Sequence, residues 1–192
     1  MSQTILLDTG HPRRKTAERF IRAVYDSRYG AKLDTFPSRL IARFEADGTI
    51  DCAAGIRTEH DGFFSEAYLD APVEEVLSIS SGQIVRRNEI FEVSTLASQS
   101  PRATTGFIDA IGRFGETNGF VWSFFTLTHR LHRLVERLGH PLIHLGDADH
   151  RRIAGHQRWG TYYASAPKVF AITSPRVALA PRDTELLYAH AV

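Results

Sequence analysis

The sequence predicts an α/β (α+β) domain in which helices flank both faces of a mixed central β-sheet. Three observations predict it. Apolar spacing switches between the helical and the strand period along the chain, in the order helix, two hairpin strands, helix, strand, helix, strand, helix, strand, strand. The run Phe120-Val-Trp-Ser-Phe-Phe125 is almost entirely apolar, as in a strand covered on both faces. No linker, repeat or low-complexity tract divides the 192 residues, so one core serves residues 15–174, with 1–14 and 175–192 as terminal extensions.

The first helix runs from Lys15 to about Arg28, with Ala17, Phe20, Ile21, Val24 and Tyr25 at helical spacing and Gly30 as its stop. Arg39–Phe44 and Thr49–Arg57 read as strands joined through Ala46-Asp-Gly48, a hairpin signal. Pro72–Leu77 is a short helix with proline in its first turn. The strand Glu89–Ser98 breaks into a Ser/Thr/Pro turn that opens a helix from about Arg102 to Glu116. After the 120–125 strand, Thr128 caps a helix whose Leu131, Leu134, Val135 and Leu138 form a stripe ended by Gly139. Pro141–Leu145 and Lys168–Thr173 read as strands, and Trp159-Gly-Thr-Tyr-Tyr163 as a strand or turn between them.

Composition excludes several function classes. A formal charge of +1 gives no global field for nucleic acid or an acidic membrane, and the clusters Arg13-Arg14-Lys15, Arg86-Arg87 and Arg151-Arg152 read as solvated surface. The single cysteine, Cys52, rules out an internal disulfide and fits a reducing, cytoplasmic setting as a buried structural thiol. The N-terminus has only a three-residue apolar run, so no signal peptide is expected, and no transmembrane segment.

The strand 89–98 carries the most chemistry. Alternation places Phe91, Val93, Thr95 and Ala97 on one face and Ile90, Glu92, Ser94 and Leu96 on the other. A carboxylate in mid-strand is costly unless it is paired, solvated or used. Glu92 therefore reads either as a general base, with Ser94 orienting a water or protonating a leaving group, or as half of a salt bridge with Arg57 or Arg102. The turn after the strand offers free N–H groups to an anion or a carbonyl oxygen. Arg57, at the end of its strand, suits a substrate carboxylate or an exposed strand end equally. Phe63-Phe-Ser-Glu-Ala-Tyr-Leu69 sets Glu66 among aromatics, as a pocket lining or as a satellite core. Trp159 and Tyr162 either wall a hydrophobic tunnel or cover the sheet edge. His144-Leu-Gly-Asp-Ala-Asp-His150 matches no established zinc pattern, and no metal site is expected.

The element order also resembles acyltransferases of the GNAT superfamily. Phe36-Pro-Ser-Arg-Leu-Ile-Ala42, Ala53-Ala-Gly-Ile-Arg57, Phe64–Glu74, Glu92-Val-Ser-Thr-Leu-Ala97, Arg137-Leu-Gly-His-Pro-Leu142, Gly146-Asp-Ala-Asp149 and Trp159–Tyr163 resemble, in order, the bacterial thermostable hemolysin family. That family is similar to acyl-homoserine-lactone synthases, whose Gly-x-Arg and Glu-x-Ser-Arg signatures resemble Gly55/Arg57 and Glu92/Ser94 here, with Thr95 where the synthases carry arginine and Asp34 as the one remaining acid of an acidic pair. The resemblance implies an N-acyltransferase taking an acyl group from acyl-CoA or an acyl carrier protein (acyl-ACP), with no permanently bound cofactor, to a small amine or amino-acid acceptor. Glu92 and Ser94 would be catalytic, and Arg57, Glu66, Thr95, Trp159 and Tyr162 would bind substrate. Leu96 and Ala97 would hold the thioester, and Arg102, Thr104, Thr105 and Gly106 the pantetheine arm or phosphates. The alternative that the family name implies is a membrane-active cytolysin without enzymatic activity.

Overall fold

The computed structural model describes residues 2–174. The tail from 175, expected to be a terminal extension, lies outside the described residues. In chain order the elements are β1 (Gln3–Leu7), α1 (Arg14–Tyr29), β2 (Arg39–Phe44), β3 (Ile50–Arg57), α2 (Val73–Ser81), β4 (Ile90–Ser98), α3 (Pro101–Thr117), β5 (Trp122–Leu127), α4 (His129–Arg137), β6 (Ile143–Asp147) and β7 (Lys168–Thr173). The strands form one sheet in the order β1-β2-β3-β4-β5-β7-β6. All neighbours are antiparallel except β4 and β5 at its centre.

Helices cover both faces, as alternation along the strands requires. Ala17, Ile21 and Tyr25 of α1 pack on Leu40, Ala42, Phe44 and Ala53, while Val73 and Leu77 of α2 cover Ile90, Trp122 and Phe124 on the same side. On the opposite side Ala103, Phe107 and Ile111 of α3 pack on Ile41, Cys52, Ala54, Ile56 and Phe91, and Val135 of α4 meets Leu127 and Phe170. α1 ends where Gly30 takes φ 64° and its N–H bonds the Asp26 carbonyl, a left-handed cap that glycine adopts without steric cost. Ser100 caps α3 by accepting from the Ala103 N–H, with Pro101 in the first turn. Cys52 is fully buried, its thiol 3.3 Å from Ser98 Oγ and pushed up to about 11 by burial.

Three expectations are corrected. Gln3–Leu7, placed outside the domain, is an edge strand paired with β2 from Gln3↔Phe44 to Leu7↔Leu40. Its apolar run of Ile5-Leu6-Leu7 is too short to announce a strand without its partner. The basic clusters are not simply solvated: each contributes one structural arginine. Arg14 is buried and donates to the carbonyls of Pro37 at 2.6 Å, Ser38 at 2.7 Å and Leu7 at 3.3 Å. Arg87 bonds Glu66 and Glu74, and Arg152 bonds the carbonyls of Tyr68 and Leu69.

The third correction concerns β4. Gly55 pairs with Ser94 and Ala53 with Ala97, so Ala54 alone faces both Thr95 and Leu96. This bulge inserts one residue and reverses the alternation beyond it. Phe91 and Val93 share a face as expected, the one covered by α3, but Leu96 joins them and Ala97 turns to the α1 side. Thr95 absorbs the extra residue at φ 48°, a strained conformation for a β-branched side chain.

Candidate active site

β4 and β5 are paired only from Ile90↔Trp122 to Val93↔Phe125. Beyond that point the strands diverge, and the bulge bends β4 away. A cavity of about 970 Å³ occupies the gap. Arg57, Phe64, Trp159 and Tyr162 line it on the α1 side, and Ile108, Leu131 and Leu134 on the α3/α4 side, so it passes through the sheet. A volume of this size holds a ligand as large as a typical cofactor, and its lining is largely apolar with a few polar groups.

Those polar groups are notable for lacking partners. Among the described residues, Arg57 Nε, Ser94 Oγ and Thr95 Oγ1, with Thr173 Oγ1 on β7, are buried without any hydrogen bond, and all four residues line the cavity. An unsatisfied buried polar atom costs about 1–3 kcal/mol. Three at one wall therefore mark a surface built for a ligand rather than for the fold alone. Arg57 keeps only a long 3.4 Å bond from Nη1 to the Gly62 carbonyl.

Glu92 does not line the cavity. It is fully buried behind the wall, and its carboxylate is held by the segment 64–65. Oε2 accepts from the Phe64 N–H at 2.6 Å, and Oε1 from the Ser65 N–H at 2.9 Å and Ser65 Oγ at 2.7 Å. Neither salt-bridge partner considered for it bonds it. Arg57 stands opposite in the ladder and acts only through its charge, while Arg102 is exposed on α3. Burial pushes the carboxyl up from its ordinary value. The Ser65 hydroxyl, the two backbone donors and the Arg57 charge oppose that shift without cancelling it.

Trp159 and Tyr162 reach the cavity on two 3₁₀ turns, His156–Trp159 and Tyr162–Ser165, rather than on a strand. The Thr161 N–H donates to the Tyr29 carbonyl at 2.8 Å and the Lys32 N–H to the Arg158 carbonyl at 2.7 Å, which fastens these turns to the end of α1. Gly160 makes that approach possible, because a Cβ there would lie 2.0 Å from the Tyr29 oxygen. The Trp159 ring packs 5.4 Å from Phe64 and 5.4 Å from Tyr162. Asp34, also on the wall, pairs with Arg158.

Other expected site residues are placed elsewhere. The Glu66 carboxylate is held by Arg87 and the Val73 N–H, outside the cavity. Ala97 is buried under α1. On α3 only Thr104 lines the cavity among the four residues expected there. Thr105 donates to the Pro101 carbonyl, and Gly106 packs where a Cβ would meet Arg43 Nη1 at 3.1 Å. Leu96 remains on the wall. Ser65 and Thr126 carry no signal in the sequence. Their hydroxyls are 2.8 Å apart, both residues line the cavity, and no local pattern signals a contact between positions so distant in the chain. The α3/α4 mouth carries the cations Arg113, Arg130 and Arg137 together with Asp109 and Glu116. Among the described residues no helix is long and apolar enough to cross a membrane.

A central strand broken by a bulge and splayed from its parallel neighbour defines a GNAT-like fold, and solved structures agree. The acyl-homoserine-lactone synthase LasI matches with a TM-score of 0.60 at 14% identity, over 93% of this chain and 95% of that one. FeeM, an N-acyl amino acid synthase from uncultured soil microbes, matches with a TM-score of 0.62 at 17% identity, over 91% and 92%. MesI, a CoA-dependent acyl-homoserine-lactone synthase, gives 0.51 at 19%, over 90% and 89%. The thermostable hemolysin family model matches residues 7–177, and the chain belongs to that family. No curated protein matches its sequence.

Proposed function

We propose that this protein is an N-acyltransferase that moves an acyl group from an acyl thioester to a small amine bearing a carboxylate. The observation that carries the reading is the cavity through the sheet, walled by the unpartnered polar atoms of Arg57, Ser94 and Thr95 and backed by the buried carboxylate of Glu92. Apolar lining on the α3/α4 side suits an acyl chain or pantetheine arm. The arginines at that mouth suit the phosphates of coenzyme A or the acidic surface of an acyl carrier protein. Thr104 and the N-terminus of α3 contribute on the same side.

The thioester lies along β4 where it leaves β5, and a backbone N–H near Leu96 or Ala97 meets the developing oxyanion. Arg57 holds the acceptor carboxylate, with Trp159 and Tyr162 enclosing the rest of the acceptor and Ser94 and Thr95 contacting the reacting groups. Glu92 supplies the base that takes the proton lost by the amine. FeeM, by its description, makes N-acyl amino acids, a product of this class.

The deciding measurement is free-thiol release by purified protein from acyl-CoA and acyl-ACP donors, with common amino acids and simple amines as acceptors. Release that depends on the acceptor supports the proposal. Binding of thioester with no thiol release under any pairing sinks it. Haemolysis by endotoxin-free protein, undiminished in Glu92→Gln, would instead favour the cytolysin.

A further inference from the structure

Glu92 is enclosed, yet one hydrogen-bonded path leads out of its site. Both carboxylate oxygens are occupied by the Phe64 and Ser65 N–H groups and by Ser65 Oγ. In the carboxylate form that serves as a base, Glu92 only accepts, so the single Ser65 hydroxyl proton then points at Glu92. The 2.8 Å contact between Ser65 Oγ and Thr126 Oγ1 is then fixed in direction, with Thr126 donating and Ser65 accepting. Thr126 thus keeps its remaining acceptor capacity for the cavity that it lines. Its position is equally specific. Phe125 makes the last β5 pairing with β4, so Thr126 is the first β5 residue of the opening. Ser65 itself is 2% exposed, whereas Thr126 is only partly buried.

We propose that Thr126 and Ser65 form a proton relay between the cavity and Glu92, with Thr126 Oγ1 as the group that receives the proton of the attacking amine. The inference rests on the acyl-transfer reading above. As the nitrogen–carbon bond forms, the amine proton passes to Thr126 Oγ1, the Thr126 proton to Ser65 Oγ, and the Ser65 proton to Glu92 Oε1. The carbon–sulfur bond then breaks, and the proton returns along the same chain to the departing thiolate. Amide and free thiol leave, and Glu92 is a carboxylate again. Burial supports the cycle by raising the proton affinity of Glu92, which faces the ionisable groups Arg57 across the ladder and Tyr68 from the neighbouring turn.

The test compares wild type, Thr126→Val, Thr126→Ser and Ser65→Ala in acceptor-dependent thiol release from acyl-CoA, with thermal melts to verify folding. Thr126→Val matches the shape of threonine and removes only the hydroxyl. It is expected to lower kcat by about 10²–10⁴-fold with KM nearly unchanged, as for loss of general-base transfer. Thr126→Ser should restore most of the rate. In mixed H₂O and D₂O, wild type should show a curved, multi-proton isotope dependence that Thr126→Val lacks. If Thr126→Val changes KM alone, or keeps wild-type kcat while Ser65→Ala is inactive, the relay through Thr126 is overturned and acyl transfer stands. If wild type itself releases no thiol from any donor, both fall together.

Discussion

Gly55 and Ser94 face each other across the β3–β4 ladder, and a Cβ built on Gly55 would come within 2.5 Å of Ser94 Oγ and 2.8 Å of Pro37 Cγ. The glycine is there for space, not for an unusual backbone angle. Gly55→Ala must push Ser94 into the cavity or shift Pro37. Overpacking of this kind costs about 1–3 kcal/mol. A chemical melt should show that loss, and thiol release should fall because Ser94 and the bulge after it move together. An alanine variant with wild-type stability and rate would show that the ladder opens freely at this point.

Glu92→Gln tests the base, and the structure changes what to expect of it. Both carboxylate oxygens accept from N–H or O–H donors, and an amide NH₂ satisfies none of them. The variant should therefore lose about 1–3 kcal/mol of stability as well as turnover. Its pH dependence has a definite sign. The carboxyl titrates above its ordinary value in the fold, so the native state holds its proton more tightly than the unfolded chain. Wild-type stability minus Glu92→Gln stability should be greatest below the unfolded carboxyl's range and decline as pH rises through the folded one. Urea melts across pH check this. A difference that grows with pH would mean that the Ser65, Phe64 and Arg57 interactions outweigh burial.

These same residues differ in how plainly the sequence marks them. Glu92 and Arg57 were visible because a charge in an apolar strand is costly anywhere, and local composition reveals that cost. The bulge was not visible. Nothing in Ser94-Thr95-Leu96 lacks strand propensity, so the reversal of faces that sends Ala97 to α1 arises only from pairing with β3. In Phe63–Leu69 the acid Glu66 stands out by composition, whereas its neighbour Ser65 is the residue that holds Glu92. A hydroxyl is unremarkable in sequence until its partner is known, and here that partner is 27 residues away. Arg14, Arg87 and Arg152 were hidden for the same reason, since paired basic residues look alike whether they face water or a carbonyl.

Arg57 should decide between acceptors. Its Nε is buried and unpartnered, and its one bond, to the Gly62 carbonyl, is long. A charged hydrogen bond to a carboxylate is worth about 1.5–3 kcal/mol, roughly 10- to 100-fold in affinity. Arg57→Ala should raise KM for carboxylate-bearing amines by that factor and leave simple amines nearly unaffected, with donor KM unchanged. Equal losses for both acceptor types would assign Arg57 to the fold or to Glu92 instead.

Thr95 presents a conflict between stability and use that one substitution can resolve. It sits at φ 48° on the bulge, and its hydroxyl is buried at the cavity wall without a partner. Thr95→Val keeps the β-branched shape and the strained backbone and removes only the orphaned oxygen. In the empty protein that oxygen costs about 1 kcal/mol or more, so the variant should melt higher. In the working protein the same oxygen meets substrate, so the variant should transfer acyl groups more slowly. Opposite signs in melting temperature and turnover are the signature of a group kept for function. If the valine variant is less stable, Thr95 Oγ1 has a structural partner after all. If it is more stable and equally active, the hydroxyl contributes nothing to the reaction.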